Sequence, residues 1–215
     1  MTAQLAEKLA KPTGSAALRT REALINAGIQ LFSLQGYEAT STRQIETTAG
    51  VQRSLMTYHF NSKEEFWKAC MRVLNQKMAD ILAPAISQAS DIELGERIRF
   101  LTRRFIRASA MVPEVCRIMF DEGRNPSWRL EWLVDEYARG FYAAVSALFD
   151  EGREAGLVAD IPNINFYYLL VGSAAVFSMS AECERLTGRS SLEPDIVDAH
   201  ADAIARLIAP TASAG

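Results

Sequence analysis

The segment STRQIETTAGVQRSLMTYHFNSK, residues 41–63, constrains this chain more than any other. Ser41 stands three residues before Gln44, the spacing at which a cap side chain and the third helical side chain satisfy each other's free backbone amides. A helix therefore starts there. Ile45 and Ala49 give it one apolar face, and Gly50 supplies the permissive backbone that ends it. After the turn Ala49-Gly50-Val51, a second helix over 52–59 buries Val51, Leu55 and Phe60. Gln52, Arg53, Ser54, Thr57 and Tyr58 are left facing outward, a polar surface nearly free of carboxylates. Ser62 and Glu65 repeat the capping-box spacing, so a third helix begins at Lys63. A lysine in the first turn opposes the helix dipole, whereas a phosphate beside that helix end would suit both the free amides and the ammonium.

Two short helices around a glycine turn, the second with an exposed polar face, form a helix-turn-helix whose second helix enters the DNA major groove. The spacing alone also fits a piece of an ordinary helical bundle. More of the sequence bears on the choice. Leu31-Phe32, Gly36-Tyr37, Thr40-Ser41, Ile45, Ala49-Gly50-Val51, Tyr58-His59-Phe60 and Ser62-Lys63-Glu64 recur at consistent spacing between Thr20 and Trp67. This stretch resembles the N-terminal domain of the TetR family of bacterial repressors. The resemblance implies phosphate contacts from Thr42, Arg43 and Lys63. It implies base-edge or flanking contacts from Gln52, Arg53, Ser54, Thr57 and Tyr58, with His59 touching the DNA backbone or packing beneath it. Three positions depart from the family pattern: Glu46 where a small residue is usual, Ser54 where Gly is common, and Thr57 where a tyrosine often meets the DNA backbone.

The charge distribution agrees. Overall the chain is acidic, with a formal net charge of −3, but residues 1–72 hold nine Lys/Arg against six Asp/Glu, a balance of +3, and the remainder carries −6. A basic end on an acidic body suits DNA. No apolar run reaches the ~20 residues of a membrane span, and the opening MTAQLAEKLAK lacks the apolar core of a secretory signal. Neither membrane nor export is expected, and the cytoplasm is the expected location. Cys70, Cys116 and Cys183 lie far apart and read as small buried hydrophobes. Two histidines, His59 and His200, make no histidine-rich metal site, and no cofactor is expected.

Taken in order, residues 1–15 read as a flexible arm and 16–62 as the DNA-binding domain, whose first helix runs over 16–35 with Leu24, Ile25, Gly28, Leu31 and Phe32 on one face. Residues 63–210 read as a helical ligand-binding and dimerisation domain, joined to the first by a helix over 63–83 that buries Phe66, Cys70, Val73, Leu74 and Ile81 until Pro84. Residues 211–215 are a tail. The body is helical throughout: 91–111; 113–123; a long helix opened by the cap Asn125-Pro126 and running to 155; 163–188; and 194–210. The fold class is all-α, with about nine helices.

Gly172, Ser173, Ala174 and Ala175 let another helix approach closely, and Ile196, His200, Ile204 and Leu207 form a stripe. In the family resembled, two such helices from each subunit build a four-helix dimer interface, while tight packing within one chain is the other reading. Dimerisation would place two reading helices ~34–36 Å apart on a near-palindromic site. Met and aromatic residues concentrate in the body, and the family's ligand cavity lies there, which makes Phe105, Met119, Tyr137, Phe141 and Phe177 its candidate lining. Arg103, Arg104 and Arg107 are nearby cations.

An enzyme needs a nucleophile, acid or base beside an orienting partner. The sequence has no Glu-x-x-His pair, no Gly-rich phosphate loop and no Cys/His/Asp constellation beyond His200 near Asp198 and Asp202, which reads as a helix-surface cluster. The expectation is a non-enzymatic, ligand-responsive DNA-binding transcriptional regulator. It would be a homodimeric repressor released from its double-stranded operator by a small, largely apolar effector. The alternative is a helical ligand-binding module or enzyme without DNA binding.

Overall fold

A computed structural model describes residues 14–210. The arm expected over 1–15 and the tail over 211–215 therefore fall outside the described residues, except that Gly14 and Ser15 open the first helix. Among the described residues there is no strand. The chain divides into two compact units, the first ending at Val73 and the second beginning at Leu74.

The first unit contains α1 (Gly14–Ala39), α2 (Thr42–Thr48), α3 (Leu55–Phe60) and the start of α4 (Lys63–Gln88). Gly36, at φ 77 and ψ 173, breaks the regular course of α1, leaving one final turn. The predicted stop at that glycine thus has a backbone cause. The core is apolar and close-packed: Leu24, Ile25, Ile29 and Phe32 of α1 meet Ile45, Met56, Phe60, Phe66, Trp67 and Cys70 in burial. Phe66 is its centre, edge-on to Phe60 at 4.8 Å and tilted against Phe32 at 6.0 Å between ring centroids. Gly28 lets α1 and α4 come together, because a Cβ there would lie 2.5 Å from the Phe66 ring and 2.9 Å from the Cys70 sulfur.

The second unit continues through α5 (Leu94–Met111), α6 (Pro113–Glu122), α7 (Trp128–Leu133), α8 (Arg139–Glu154), α9 (Asn163–Ser173), α10 (Ser180–Thr187) and α11 (Pro194–Ile208). Two apolar clusters fill it. Ile98, Phe149, Val158, Phe166, Leu170 and Ile208 form one, with Phe149 and Phe166 stacked at 4.3 Å. Ile106, Ala174, Phe177, Val197 and Ala201 form the other. Helices α5 and α11 are further joined along their flank by Arg103 to Asp202 and Arg107 to Asp198, both at 2.7 Å, and by Arg99 to the Ala209 carbonyl at 3.2 Å.

Several boundaries differ from the sequence expectation. Helix α4 runs through Pro84 to Gln88. Helix α5 starts at Leu94 and not at 91, because the Glu93 carboxylate accepts from the amides of Gly95 and Glu96 and so supplies the cap. Ser127, not Asn125, caps α7, its hydroxyl accepting from the Leu130 amide at 3.1 Å. Between α7 and α8 lies a π-helical stretch, Val134–Ala138. The single helix expected over 163–188 is broken: α9 tightens into a 3-10 segment, Ala174–Ser178, and α10 departs at 73°. The Val176 carbonyl at this break accepts both from the Met179 amide at 3.1 Å and from the Ser191 hydroxyl at 3.0 Å.

The cysteines differ in environment. Burial holds the Cys70 thiol far above its ordinary value and pushes Cys116 up to about 11. Since the thiolate is the reactive form, both resist alkylation near pH 8, and Cys183 is expected to be the one thiol that reacts before denaturation. Mass mapping after a short iodoacetamide pulse checks this; labelling of Cys70 in the folded protein would contradict it. Gly28→Ala is expected to destabilise the first unit by about 1–3 kcal/mol through overpacking. An unchanged thermal midpoint would show that α1 and α4 can separate freely.

Candidate nucleic-acid interface

The capping box at Ser41 is complete. Its hydroxyl accepts from the Gln44 amide at 3.2 Å, and Gln44 Oε1 accepts from the Ser41 amide at 2.8 Å. Helix α2 ends at Ala49, and Gly50, at φ 66, turns the chain so that the Val51 amide returns to the Glu46 carbonyl at 3.0 Å. Positive φ at this point is what glycine permits at no steric cost.

Helix α3 is shorter than predicted. It begins at Leu55 rather than Gln52, and Ser54 stands at its N-cap with φ 70, in the left-handed region. Glycine adopts this backbone without steric cost, so Ser54 holds it under strain. The Ser54 side chain makes no cap hydrogen bond. Glu46 supplies the missing acceptor from the preceding helix: its carboxylate is buried and Oε1 accepts from the Met56 amide at 3.1 Å. That accounts for the departure at Glu46. The inner side of the motif buries Ile45, Met56 and Phe60, while Val51 and Leu55 are half-buried.

The outer side is assembled as the spacing predicted. Arg43, Gln52, Arg53, Ser54, Thr57 and Tyr58 are exposed and Thr42 is half-exposed. Glu46 is the only carboxylate residue between Ser41 and Asn61, so its burial leaves the exposed surface of this segment without a negative side chain. His59 is half-buried, edge-on to Tyr58 at 5.2 Å, and its Nε2 finds no partner among the described residues. The cap at Ser62 is half of the expected box: its hydroxyl accepts from the Glu65 amide at 3.1 Å, but the Glu65 carboxylate faces Lys68. Lys63, expected beside a phosphate, donates to the Tyr37 carbonyl at 2.6 Å and lies 4.0 Å from the centre of that ring. It ties the start of α4 to the turn that closes α1.

In the second unit, the candidate ligand residues are dispersed. Phe105 and Phe141 stack at 5.2 Å within the first apolar cluster, and Phe177 is fully buried in the second. Tyr137 rests edge-on against Trp132 at 5.5 Å, and Met119 is half-buried on α6. Arg103 and Arg107 face aspartates of α11, and Arg104 lies exposed over Phe100. None of the three is an inward cation. No group of three or more His, Cys, Asp or Glu side chains is placed to hold a metal among the described residues. Asp198, His200 and Asp202 have separate partners, His200 Nε2 lying 2.8 Å from the Ser173 carbonyl.

The candidate dimer residues divide in the same way. Gly172 and Leu207 are exposed, and Ala175 and Ile196 half-buried. His200 and Ile204 pack within their own chain, His200 against Phe177 and Ile204 against both clusters. The buried stripe of α11 is Val197, Ala201, Ala205 and Ile208. Sequence reasoning missed exposed apolar residues on α9: Ile164, Tyr168 and Leu169. Their signal was available in the spacing, since Ile164 and Tyr168 stand two residues either side of the buried Phe166 and so on the opposite side of the helix.

The fold and this surface are those of a helix-turn-helix. Residues 24–70 match the family described as bacterial regulatory proteins, tetR family. It is similar to the HTH-type transcriptional repressor NicS of Pseudomonas putida, 25% identical over 86% of each chain. It is 34% identical to the HTH-type transcriptional regulator BetI of Rhizobium meliloti, over 44% of this chain and 45% of BetI, so the match spans about half that relative's length. The fold matches the transcriptional regulator FadR from Bacillus subtilis in complex with stearoyl-CoA, with TM-score 0.62 and 14% identity, over 88% of this chain and 97% of FadR.

Replacing Ser54 by Gly removes the left-handed strain at the head of α3 and is expected to stabilise the first unit by about 1 kcal/mol. A lower thermal midpoint for Ser54→Gly would contradict the backbone assignment.

Proposed function

We propose that this chain is a homodimeric repressor that binds a near-palindromic DNA operator through α2 and α3 and leaves it when a small, largely apolar molecule binds the second unit. The observation that carries the reading is the acid-free exposed surface of Thr42, Arg43 and the segment Gln52–Tyr58, mounted on a buried core. Phosphate contacts from Thr42 and Arg43 give salt-dependent affinity, and Lys63 adds to them from its part-buried seat. Gln52, Arg53, Ser54, Thr57 and Tyr58 read or flank base edges, which carries sequence choice, and His59 supports them from beneath.

The exposed side of α9 with Gly172, and that of α11 with Leu207, supply the surface for a second copy. Two copies are needed to place two α3 helices on successive grooves. Effector binding acts by favouring a conformation in which α4 shifts and the two reading heads are wrongly spaced. Only a difference in affinity between the two states can do this, and moving the population from mostly bound to mostly free takes ~5 kcal/mol. FadR of Bacillus subtilis, of the same fold, is in complex with stearoyl-CoA, which favours an apolar chain-like effector among the possible classes. The named relatives are transcriptional regulators, and a non-enzymatic protein working in the cytoplasm fits this role.

Arg53→Ala is expected to weaken binding to a duplex enriched from a random pool by the native protein, by about 1–3 kcal/mol, with relaxed preference at one base pair. Gel shifts at two salt concentrations check this. Unchanged affinity and preference would remove Arg53 from the reading surface, and failure of the native protein to enrich any sequence would overturn the DNA-binding reading.

A further inference from the structure

Helix α3 has only six residues and begins with a cap residue whose side chain makes no bond to it. A helix this short leaves most of its amides without internal partners, and a free N-terminus frays. Its one cap comes from elsewhere. The Glu46 carboxylate, only 6% exposed, reaches across the turn to the Met56 amide at 3.1 Å, and the Glu46 carbonyl accepts from Val51 at 3.0 Å. One residue of α2 therefore holds both the turn and the first turn of α3. A carboxylate at that end also complements the helix dipole. Glu46 is buried, so it is not itself placed to touch a base.

We infer that Glu46 is a positioning residue for sequence discrimination: its carboxylate fixes the angle and the phase at which α3 and the turn before it present Thr57, Tyr58, Gln52 and Arg53 to base edges. This rests on the proposal that α3 reads DNA. The distinction from a merely stabilising residue is one of geometry. Base-edge hydrogen bonds weaken steeply with misalignment, whereas phosphate attraction tolerates it. Loosening α3 in a folded protein thus lowers specific binding and spares non-specific binding.

The test uses the full-length protein and two duplexes, one enriched from a random pool by the native chain and one of scrambled sequence. Binding to each is measured by fluorescence anisotropy well below the thermal midpoint. Glu46→Ala is expected to lower the ratio of enriched to scrambled affinity about tenfold, the scale of a lost helix cap, with scrambled affinity unchanged. Glu46→Gln, which keeps an acceptor in the same place, is expected to hold the ratio within about threefold of native. An unchanged ratio in Glu46→Ala, or an equal fall on both duplexes, overturns the inference. So does an equal loss in Glu46→Gln and Glu46→Ala. Should Glu46→Ala not fold, Glu46→Met, which fills a similar volume without an acceptor, is measured in its place. If neither folds, Glu46 is a folding residue and the inference fails. A native chain that enriches no sequence at all defeats the DNA-reading proposal instead, and is recognised before any variant is made.

Discussion

A six-residue helix has too few internal hydrogen bonds to stand in water by itself, so everything asked of α3 depends on what grips it from behind. The grip is of two kinds. Met56 and Phe60 sink into a core whose centre is Phe66, and that core closes only because Gly28 lets α1 lie against α4. The Glu46 carboxylate then holds the free amide end. Apolar burial sets the depth of the helix and a single directed bond limits its rotation. The same burial of Glu46 removes the only negative side chain of residues 41–61 from the exposed surface, so one residue serves both the mechanical and the electrostatic side of the motif.

The second unit is built on a different balance. Its apolar clusters are continuous through α5, α8, α9 and α11, and the arginine and aspartate pairs between α5 and α11 run along the edge of the packed stripe. Such part-exposed pairs contribute modestly to stability and fix register more than they add strength. Some apolar side chains remain outside: Ile164, Tyr168 and Leu169 on α9, Leu207 on α11, and Leu186 on α10, which buries none of its residues. No single helix in the described residues is long and apolar enough to cross a membrane. An apolar side shared by neighbouring helices suits association with a second copy.

The sequence was most legible where the physics is short-range. The caps at Ser41 and Ser62 and the stops at Gly36 and Gly50 depend on residues within a few positions of each other, and each lies where the pattern placed it. It was least legible where a distant group decides. The acceptor for the Met56 amide sits ten residues back, at a position where the spacing gives no sign of a cap. The left-handed Ser54 carries no compositional mark, and so the spacing places the start of α3 three residues early. On α11 the eye follows Ile196, His200, Ile204 and Leu207, but the inward stripe is one step on, where Ala201 and Ala205 are fully buried because small side chains let α5 approach. Alanine is nearly neutral in a hydrophobic pattern and therefore easily passed over. The π-helical stretch and the break after Ser178 have no proline or glycine to announce them.

The most direct measurement is a map of backbone amide shifts in the isotopically labelled protein as an enriched duplex is added. The largest changes are expected at Thr42, Arg43 and residues 52–58, with the Met56 amide retained in its protected state. Changes confined to the second unit, or exchange of the Met56 amide at the rate of an unprotected one in the bound protein, would contradict it.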